Sequence, residues 1–140
     1  MQLYRVAHHL INQGEKHLAL AIQSQISEVL GMDIHPACKI GKGVVFDHAV
    51  GIVIGETSVV GDYSTLFHNV TLGATSREKE LDRHPKLGEG VVIGAGASVL
   101  GNIKIGRGSM VGANSVVLKE VPDMHTAVGI PAKIFPQRQV

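Results

Sequence analysis

The amino-acid sequence predicts a mainly β fold, a parallel β-solenoid with a short helical cap at its N-terminus. Three observations lead to this prediction. An aliphatic or aromatic side chain returns every six residues along most of the chain, and glycine often follows it directly. Before these repeats, apolar residues recur instead at three- and four-residue steps. The first spacing is typical of stacked coils and the second of amphipathic helices.

The helical cap is the first predicted element, residues 1–31. Its apolar residues fall into two sets, separated by Gly14 and followed by Gly31, which predicts two helices. An open solenoid end exposes apolar stacking surface and unpaired strand edges, so helices here would cover it. We expect the three histidines of this segment to be surface or packing residues.

The second predicted element is the solenoid itself, residues 32–140. A period of six fits three short flat faces per coil, so about 18 residues would make one triangular coil. Each repeated side chain would point inward and stack on its equivalents in neighbouring coils. The glycines that follow suit corners that need a positive φ or a close backbone approach. The repeated residues are Ile34, Ile40, Phe46, Ile54, Val60, Leu66, Leu72, Leu87, Ile93, Val99, Ile105, Val111 and Val117.

One interruption of the repeat predicts a functional loop. Residues 74–85, with the sequence ATSREKELDRHP, are mostly polar and charged, and loops of this kind often carry function. A solvated loop without function is the alternative. After Val117 the pattern ends, and we expect a final extended segment that folds over the last coil.

Composition limits the classes of function. The chain has 140 residues, enough for one domain with a sizeable core, and a net charge of only +1, which argues against a nucleic-acid or anionic-membrane surface. No apolar run is long enough to predict a transmembrane helix. The single cysteine, Cys38, cannot form an internal disulfide, and the N-terminus lacks a signal pattern. We therefore expect a cytoplasmic protein.

Three histidines lie in or beside the predicted coils, His48, His68 and His84. The first two each follow an inward residue by two positions, so their side chains should point out of the coil. Asp33 precedes His48 by 15 residues, which could bring the two together on adjacent coils. A carboxylate that fixes the imidazole tautomer would make His48 a general base, since free histidine titrates near pH ~6.5. An ordinary surface histidine is the alternative.

Two other chemistries are disfavoured by spacing. Some trimeric solenoids hold zinc with three histidines, but this needs a close histidine pair, and neither HxxxxH nor HxxxH occurs. We therefore expect no metal. Cys38 could carry an acyl group, but no histidine spacing marks it as an activated nucleophile, so a structural role is favoured.

Six segments follow one another along the chain: DIHPACKIGKG, DHAVGIVIGET, NVTLGAT, DRHPK, VVIGAGASVLGNIKIGRG and GIPAKI. Together with the helical lead-in, they resemble the serine O-acetyltransferases, the acetyl-CoA enzymes that open cysteine biosynthesis. The likeness covers essentially the whole chain. It implies a left-handed parallel β-helix that forms a homotrimer, with acetyl-CoA as co-substrate and active sites between subunits.

The resemblance also implies roles for individual residues. His48 would be the general base, oriented by Asp33. Asp47 would help to hold the amino group of the acceptor serine, while Arg83 and His84 would contact its carboxylate from the loop of a neighbouring subunit. The other residues implied are Glu56 near this site and, along the path of the cofactor, Ala74, Thr75, Ala95, Ala113 and Lys133.

Departures from the family pattern bear on assembly and substrate. About thirty residues precede the first coil, where the family carries a long helical domain that supplies an acid to the serine pocket. A trimer is therefore favoured over a dimer of trimers. The short tail after Ile134 argues against docking of the partner sulfhydrylase, and Met110 replaces a lysine that is common near the cofactor.

The loop itself departs as well. It reads GATSREKELDRHP, where the family usually has GGTGKSGGDRHP, so it is more charged and one residue longer. This leaves a sugar or polysaccharide hydroxyl open as the acceptor. A scaffold without catalysis is a third alternative, disfavoured by the retained residues Asp33, Asp47, His48, Arg83 and His84.

Overall fold

The computed structural model describes residues 1–75 and 81–137. Its N-terminal part consists of two helices, α1 (Gln2–Asn12) and α2 (Lys16–Leu30). Tyr4 and Ile26 on their inner faces are buried in the same core as the coils. Helix α2 ends at Gly31, which has a left-handed φ of 65°, as is common where a helix stops. The predicted two-helix cap is confirmed.

Short strands follow the helices. In the described ranges they are β1 (Asp33–Ile34), β2 (Lys39–Ile40), β3 (Val45–Asp47), β4 (Val53–Ile54), β5 (Val59–Val60), β6 (Thr65–Phe67), β7 (Thr71–Gly73), β8 (Lys86–Leu87), β9 (Val92–Ile93), β10 (Ser98–Leu100), β11 (Lys104–Ile105), β12 (Met110–Val111), β13 (Val116–Val117), β14 (His125–Gly129) and β15 (Ala132–Pro136).

The strands form three sheets that enclose one core. Sheet 1 has the order β1-β4-β7-β10-β13, sheet 2 the order β11-β8-β5-β2, and sheet 3 the order β15-β14-β12-β9-β6-β3. Neighbours in these sheets are parallel, apart from the antiparallel pair β14 and β15. Because the chain visits the three sheets in turn, it winds as a three-sided coil. The predicted class, a mainly β parallel solenoid with two N-terminal helices, is confirmed.

Strand register gives the length of each coil. Residue 33 pairs with 53, so the first coil has 20 residues, and residue 53 pairs with 71, so the next step takes 18. Where the loop is inserted, residue 59 pairs with 86, 27 positions later. Later coils return to 18 residues, as in the pair of 86 with 104. The two additional residues of the first coil lie after β3 and account for the phase shift between Phe46 and Ile54.

The core is a column of side chains inside the coils. The repeated residues are buried as predicted, except that Ile40 and Phe46 are only partly buried. A second inward-facing set, which we did not predict, lies two positions before the repeated residues. Three of its serine hydroxyls bond to the backbone, as where Ser109 Oγ donates to Pro122 O at 2.6 Å, whereas Ser58 Oγ has no hydrogen-bond partner within the described residues. The buried members of this set are Met32, Cys38, Ile52, Ser58, Ser64, Val70, Pro85, Val91, Ala97, Ser109 and Ser115.

The glycines that follow the repeated residues allow close backbone approach. A Cβ on Gly94 would lie 2.6 Å from the backbone nitrogen of Ala113 in the next coil. Their φ angles are not positive. The left-handed residues stand two positions later, as at Gly43 (66°) and Gly96 (71°). Of the two predicted reasons for these glycines, close backbone approach is therefore the one that applies, because the chain turns only after the glycine has passed its neighbour.

The last described residues form a hairpin. Strand β14 adds to sheet 3 beside β12, and β15 returns antiparallel to it. Residues 76–80 of the predicted loop and 138–140 of the tail lie outside the described residues, so the expectation about sulfhydrylase docking is not tested. None of the helices in the described ranges is long and apolar enough to cross a membrane.

Candidate active site

His48 stands on a two-residue bulge at the corner between sheets 3 and 1. His48 and Ala49 both have left-handed backbones, with φ of 59° and 60°, which is uncommon outside glycine. Two hydrogen bonds hold the corner: Val50 N donates to His48 O, and Gly51 N donates to Gly31 O, both at 2.7 Å. The bulge projects the imidazole outward, where 79% of the side chain is exposed.

Two side chains contact the His48 ring. Its Nε2 lies 3.5 Å from Asp47 Oδ1. The ring of His68 meets it edge-on, with centroids 5.8 Å apart, because Asp47 pairs with Phe67 in the next coil. His68 is half-buried, and its Nδ1 has no hydrogen-bond partner within the described residues. His48 thus points outward as expected, beside a second imidazole.

Asp33 lies in β1, half-buried beneath the cap. Its Oδ1 accepts a hydrogen bond of 2.6 Å from Gln23 Nε2 on α2. Within residues 1–75 and 81–137, no hydrogen bond or ion pair joins Asp33 to His48. Orientation of His48 by Asp33 therefore stays a prediction. The contact with Gln23 was not anticipated, because the cap was given no part in the site.

Arg83 and His84 lie where the loop rejoins the coils, at the corner between sheets 1 and 2. Arg83 is exposed, whereas His84 is only 7% exposed. The His84 ring lies on Gly55, where a Cβ would overlap its Cδ2 and Nε2 atoms. An alanine at this point of the corner would force the His84 ring to move.

Thr57 holds this end of the loop. Its Oγ1 lies 2.8 Å from His84 Nδ1 and accepts hydrogen bonds from the backbone nitrogens of Arg83 and His84, each at 3.1 Å. Its own N–H donates to His84 Nδ1 at 3.2 Å. Sequence analysis missed this residue. The only signal for it is its place directly after Glu56 in the motif GET.

A cleft of about 350 Å³ lies beside Thr57 and is lined in part by Glu56, Lys39 and Asp82. Lys86 closes one side, with its Nζ 2.6 Å from both Asp82 Oδ1 and His84 O. The hydrogen bond from Lys86 lowers the pKa of the Asp82 carboxyl. The cleft thus combines a paired carboxylate with the exposed carboxylate of Glu56.

Part of the predicted cofactor path follows the His48 corner. Ala95 and Ala113 occupy equivalent places in successive coils, and Ala95 O accepts a hydrogen bond of 2.8 Å from Asn114 N. Lys133 is exposed on β15, opposite Val128 of β14. We call the corner between sheets 3 and 1 the base edge, because it carries His48.

The other predicted cofactor residues lie elsewhere. Ala74 and Thr75 directly follow β7 at the end of sheet 1, at the corner that also carries Arg83 and His84. We call this corner the loop edge. Residues 51–55 cross sheet 1 from one edge to the other, and at ~3.3 Å per residue they span roughly 15 Å. Within one chain, the predicted site residues therefore form two separate groups, one toward the base edge and one toward the loop edge.

Cys38 has the surroundings of a structural residue. Its side chain is fully buried, and burial raises the pKa of the thiol to about 12. A thiol of this kind carries almost no thiolate at neutral pH, and the thiolate is the nucleophile. Over the described parts of the chain, no group of three or more His, Cys, Asp or Glu side chains could hold a metal ion.

The chain is similar to known proteins in both sequence and structure. Residues 84–119 match the family model for bacterial transferase hexapeptide (six repeats). Serine acetyltransferase 4 of Arabidopsis thaliana is 57% identical over 135 residues, which are 96% of this chain and 38% of that protein. A solved structure, soybean serine acetyltransferase complexed with serine, matches with a TM-score of 0.92 at 57% identity, covering 96% of this chain and 55% of that one.

The chain is a homologue of the serine acetyltransferases. The predicted resemblance is confirmed. A second solved structure, serine acetyltransferase in complex with coenzyme A from Brucella abortus strain S19, has a TM-score of 0.95 at 48% identity and covers 99% of this chain and 55% of that one. The chain spans about half the length, or less, of these serine acetyltransferases.

Proposed function

We propose that this chain transfers the acetyl group of acetyl-CoA to the hydroxyl of L-serine. The observation that carries the proposal is the match to a serine-bound serine acetyltransferase at 57% identity, which covers 96% of this chain. Acetyl-CoA as donor is supported by the match to a coenzyme A complex.

His48 is the proposed general base. Its exposed imidazole would take the proton of the acceptor hydroxyl as that oxygen attacks the thioester carbonyl. The new bond joins the hydroxyl oxygen to the acetyl carbon, the carbon–sulfur bond breaks, and the imidazolium returns its proton to the leaving thiolate. General-base catalysis of this kind typically contributes ~10²- to 10⁴-fold. Transfer is direct, since the buried Cys38 thiol offers no acyl-enzyme route.

The remaining roles concern binding. Asp47 lies 3.5 Å from the His48 ring, so a carboxylate next to the base could hold the acceptor ammonium. The planar guanidinium of Arg83 suits a carboxylate, and His84 would add a second contact. Asp33 would orient His48, and Glu56 would lie at the rim of the acceptor site.

The cofactor path would follow small residues. The methyl side chains of Ala95 and Ala113 leave room for a thin pantetheine arm along the base edge, with Lys133 near its end. Ala74 and Thr75, on the loop edge, would line the opposite wall.

A homotrimer would complete the site. Within one chain, His48 and the pair Arg83 and His84 lie on different edges, separated by roughly 15 Å of sheet at ~3.3 Å per residue. In a cyclic trimer, heterologous contacts place one edge of each chain against a different edge of its neighbour. The base edge of one chain would then face the loop edge of the next. The cytoplasm is the proposed location of the protein.

The test is an acceptor panel. The purified protein is incubated with acetyl-CoA and with L-serine, L-threonine or simple sugars, and release of free thiol is followed. We expect release that depends on serine. Thiol release that depends on a sugar would contradict serine as the acceptor but would still support acetyl transfer from acetyl-CoA. No release with any acceptor would contradict acetyl transfer itself.

A further inference from the structure

The imidazole of His84 has one nitrogen surrounded by donors. Thr57 approaches His84 Nδ1 twice, with its hydroxyl oxygen at 2.8 Å and its backbone nitrogen at 3.2 Å. A backbone N–H can only donate. His84 Nδ1 must therefore accept, and a proton on it would point at the hydrogen of Thr57 N–H.

The hydroxyl of Thr57 leads to the same result. Its Oγ1 already accepts two hydrogen bonds, from the backbone N–H groups of Arg83 and His84. A hydroxyl has two lone pairs and one hydrogen, so both lone pairs are used. Oγ1 therefore has no lone pair free to accept a proton from His84 Nδ1 at 2.8 Å. Its hydrogen can donate to His84 Nδ1 or to the Asp82 carboxyl, whose pKa a hydrogen bond with Thr57 helps to lower.

Several charged side chains lie near His84 among the described residues. The nearby Asp82 carboxylate is paired with Lys86, and the same ammonium donates to His84 O. Arg83, the preceding residue, carries a second positive charge. Glu56 is exposed. His84 is itself almost fully buried, and burial disfavours a charged imidazole.

We propose that Thr57 is a positioning residue that fixes His84 as the neutral imidazole with its proton on Nε2. His84 then serves the acceptor as a hydrogen-bond donor, and it is neither a base nor a cation. The donor role of His84 toward the acceptor rests on the proposed function, whereas the position of the proton on its ring follows from the contacts of this chain alone. The two histidines would thereby divide their work, because only His48 could take the hydroxyl proton.

The tautomer can be read directly by nitrogen NMR. The full chain is labelled with ¹⁵N, and the His84 ring signals are identified by their loss in His84→Gln. We expect a bare, pyridine-type Nδ1 and a protonated Nε2 at neutral pH, with the same pattern in Thr57→Ser. Thr57→Val removes the hydroxyl but keeps the backbone N–H, so a second tautomer with the proton on Nδ1 should become partly populated. A proton on Nδ1 in the unaltered protein would overturn the proposal, whatever its activity.

The donor role is tested by two replacements of similar size. In His84→Gln the amide nitrogen can take the place of Nε2, whereas in His84→Asn it can reach only the place of Nδ1. We expect His84→Gln to keep the KM for serine within a few-fold of the unaltered value. His84→Asn should raise it about tenfold, which corresponds to one lost hydrogen bond of ~1.4 kcal/mol. Equal KM values in both variants would overturn the donor role.

The positioning role of Thr57 is tested by the same measurement. Thr57→Val should raise the KM for serine with a smaller effect on kcat, and Thr57→Ser should restore it. If Thr57→Val does not fold, the NMR pattern of the unaltered chain and the two His84 replacements still decide the question. A Thr57→Val protein that is folded and has an unchanged KM would contradict the positioning role.

Discussion

His48 is held in place by its backbone more than by its side chain. Two consecutive left-handed residues and a hydrogen bond of 2.7 Å from Val50 N to His48 O fix the bulge, while the ring itself is mostly exposed. A position set by the corner does not depend on the imidazole. Substitution of the side chain should therefore remove chemistry and leave the fold.

The corresponding prediction is that His48→Ala lowers kcat at least ~10²-fold, the typical contribution of a general base, without change in melting temperature. Steady-state kinetics with serine and thermal unfolding check it. His17→Ala, which removes an exposed histidine from α2, is the matched control. Near-normal turnover in His48→Ala would contradict the role of His48.

Gly55 gives a second prediction at this scale. In Gly55→Ala the new Cβ overlaps the His84 ring, so the ring must move and the KM for serine should rise several-fold. In Gly41→Ala the new Cβ meets backbone of Asp62 at 2.8 Å, far from the loop edge. We expect Gly41→Ala to lower the free energy of unfolding but to leave the KM for serine unchanged. A similar rise in the KM for serine in both variants would show that the effect does not come from displacement of the His84 ring.

Cys38 should be inert in the folded protein. Because burial raises the pKa of its thiol to about 12, the group stays protonated at pH ~8, where free cysteine begins to ionise. Iodoacetamide should modify it only after unfolding, as followed by mass spectrometry, and Cys38→Ala should keep its activity. Rapid modification of the native protein, or loss of activity in Cys38→Ala, would revive an acyl-enzyme route.

Single residues differ in how far the sequence could predict them. His48 follows an inward residue by two, so its outward direction could be read from the repeat. The pairing of Thr57 with His84 could not, because 27 residues separate them and an inserted loop lies between. The length of such a loop does not say which corner its end will contact.

At the scale of elements, the repeat predicted the strands because both depend on the same local spacing. An aliphatic residue every six positions marks one inward face per strand, and those residues are buried as expected. The second inward set was missed because it contains serines. A buried serine whose hydroxyl bonds to a backbone carbonyl is indistinguishable in sequence from a surface serine.

Stacking of coils makes the core column sensitive to cavities. Ile93 is fully buried between β6 and β12, so Ile93→Ala should lower the free energy of unfolding by ~2–5 kcal/mol. Val45→Ala, at a side chain that is 53% exposed, is the control and should cost less than ~1 kcal/mol. Urea denaturation of both variants checks this. Equal losses would contradict the assignment of the inward face.

At the scale of the whole molecule, the three-sided coil places His48 and Arg83 on two different edges. The sequence placed His48 and Arg83 only 35 positions apart, but that number does not reveal which corner each occupies. Strand register was needed, since the 20-residue first coil and the 27-residue step across the loop shift the corners relative to a simple count. The separation of the two groups follows from that register.

The central claim, that one chain supplies the base and its neighbour supplies Arg83, is tested most directly by mixing two inactive variants. His48→Ala and Arg83→Ala are co-expressed with different tags, mixed oligomers are isolated through both tags, and serine-dependent thiol release is measured at low serine concentration. A cyclic trimer isolated through both tags contains two chains of one variant and one of the other, so one of its three interfaces joins an intact His48 to an intact Arg83. Activity near a third of the unaltered level is the predicted result, and mixed oligomers no more active than either parent would contradict the claim.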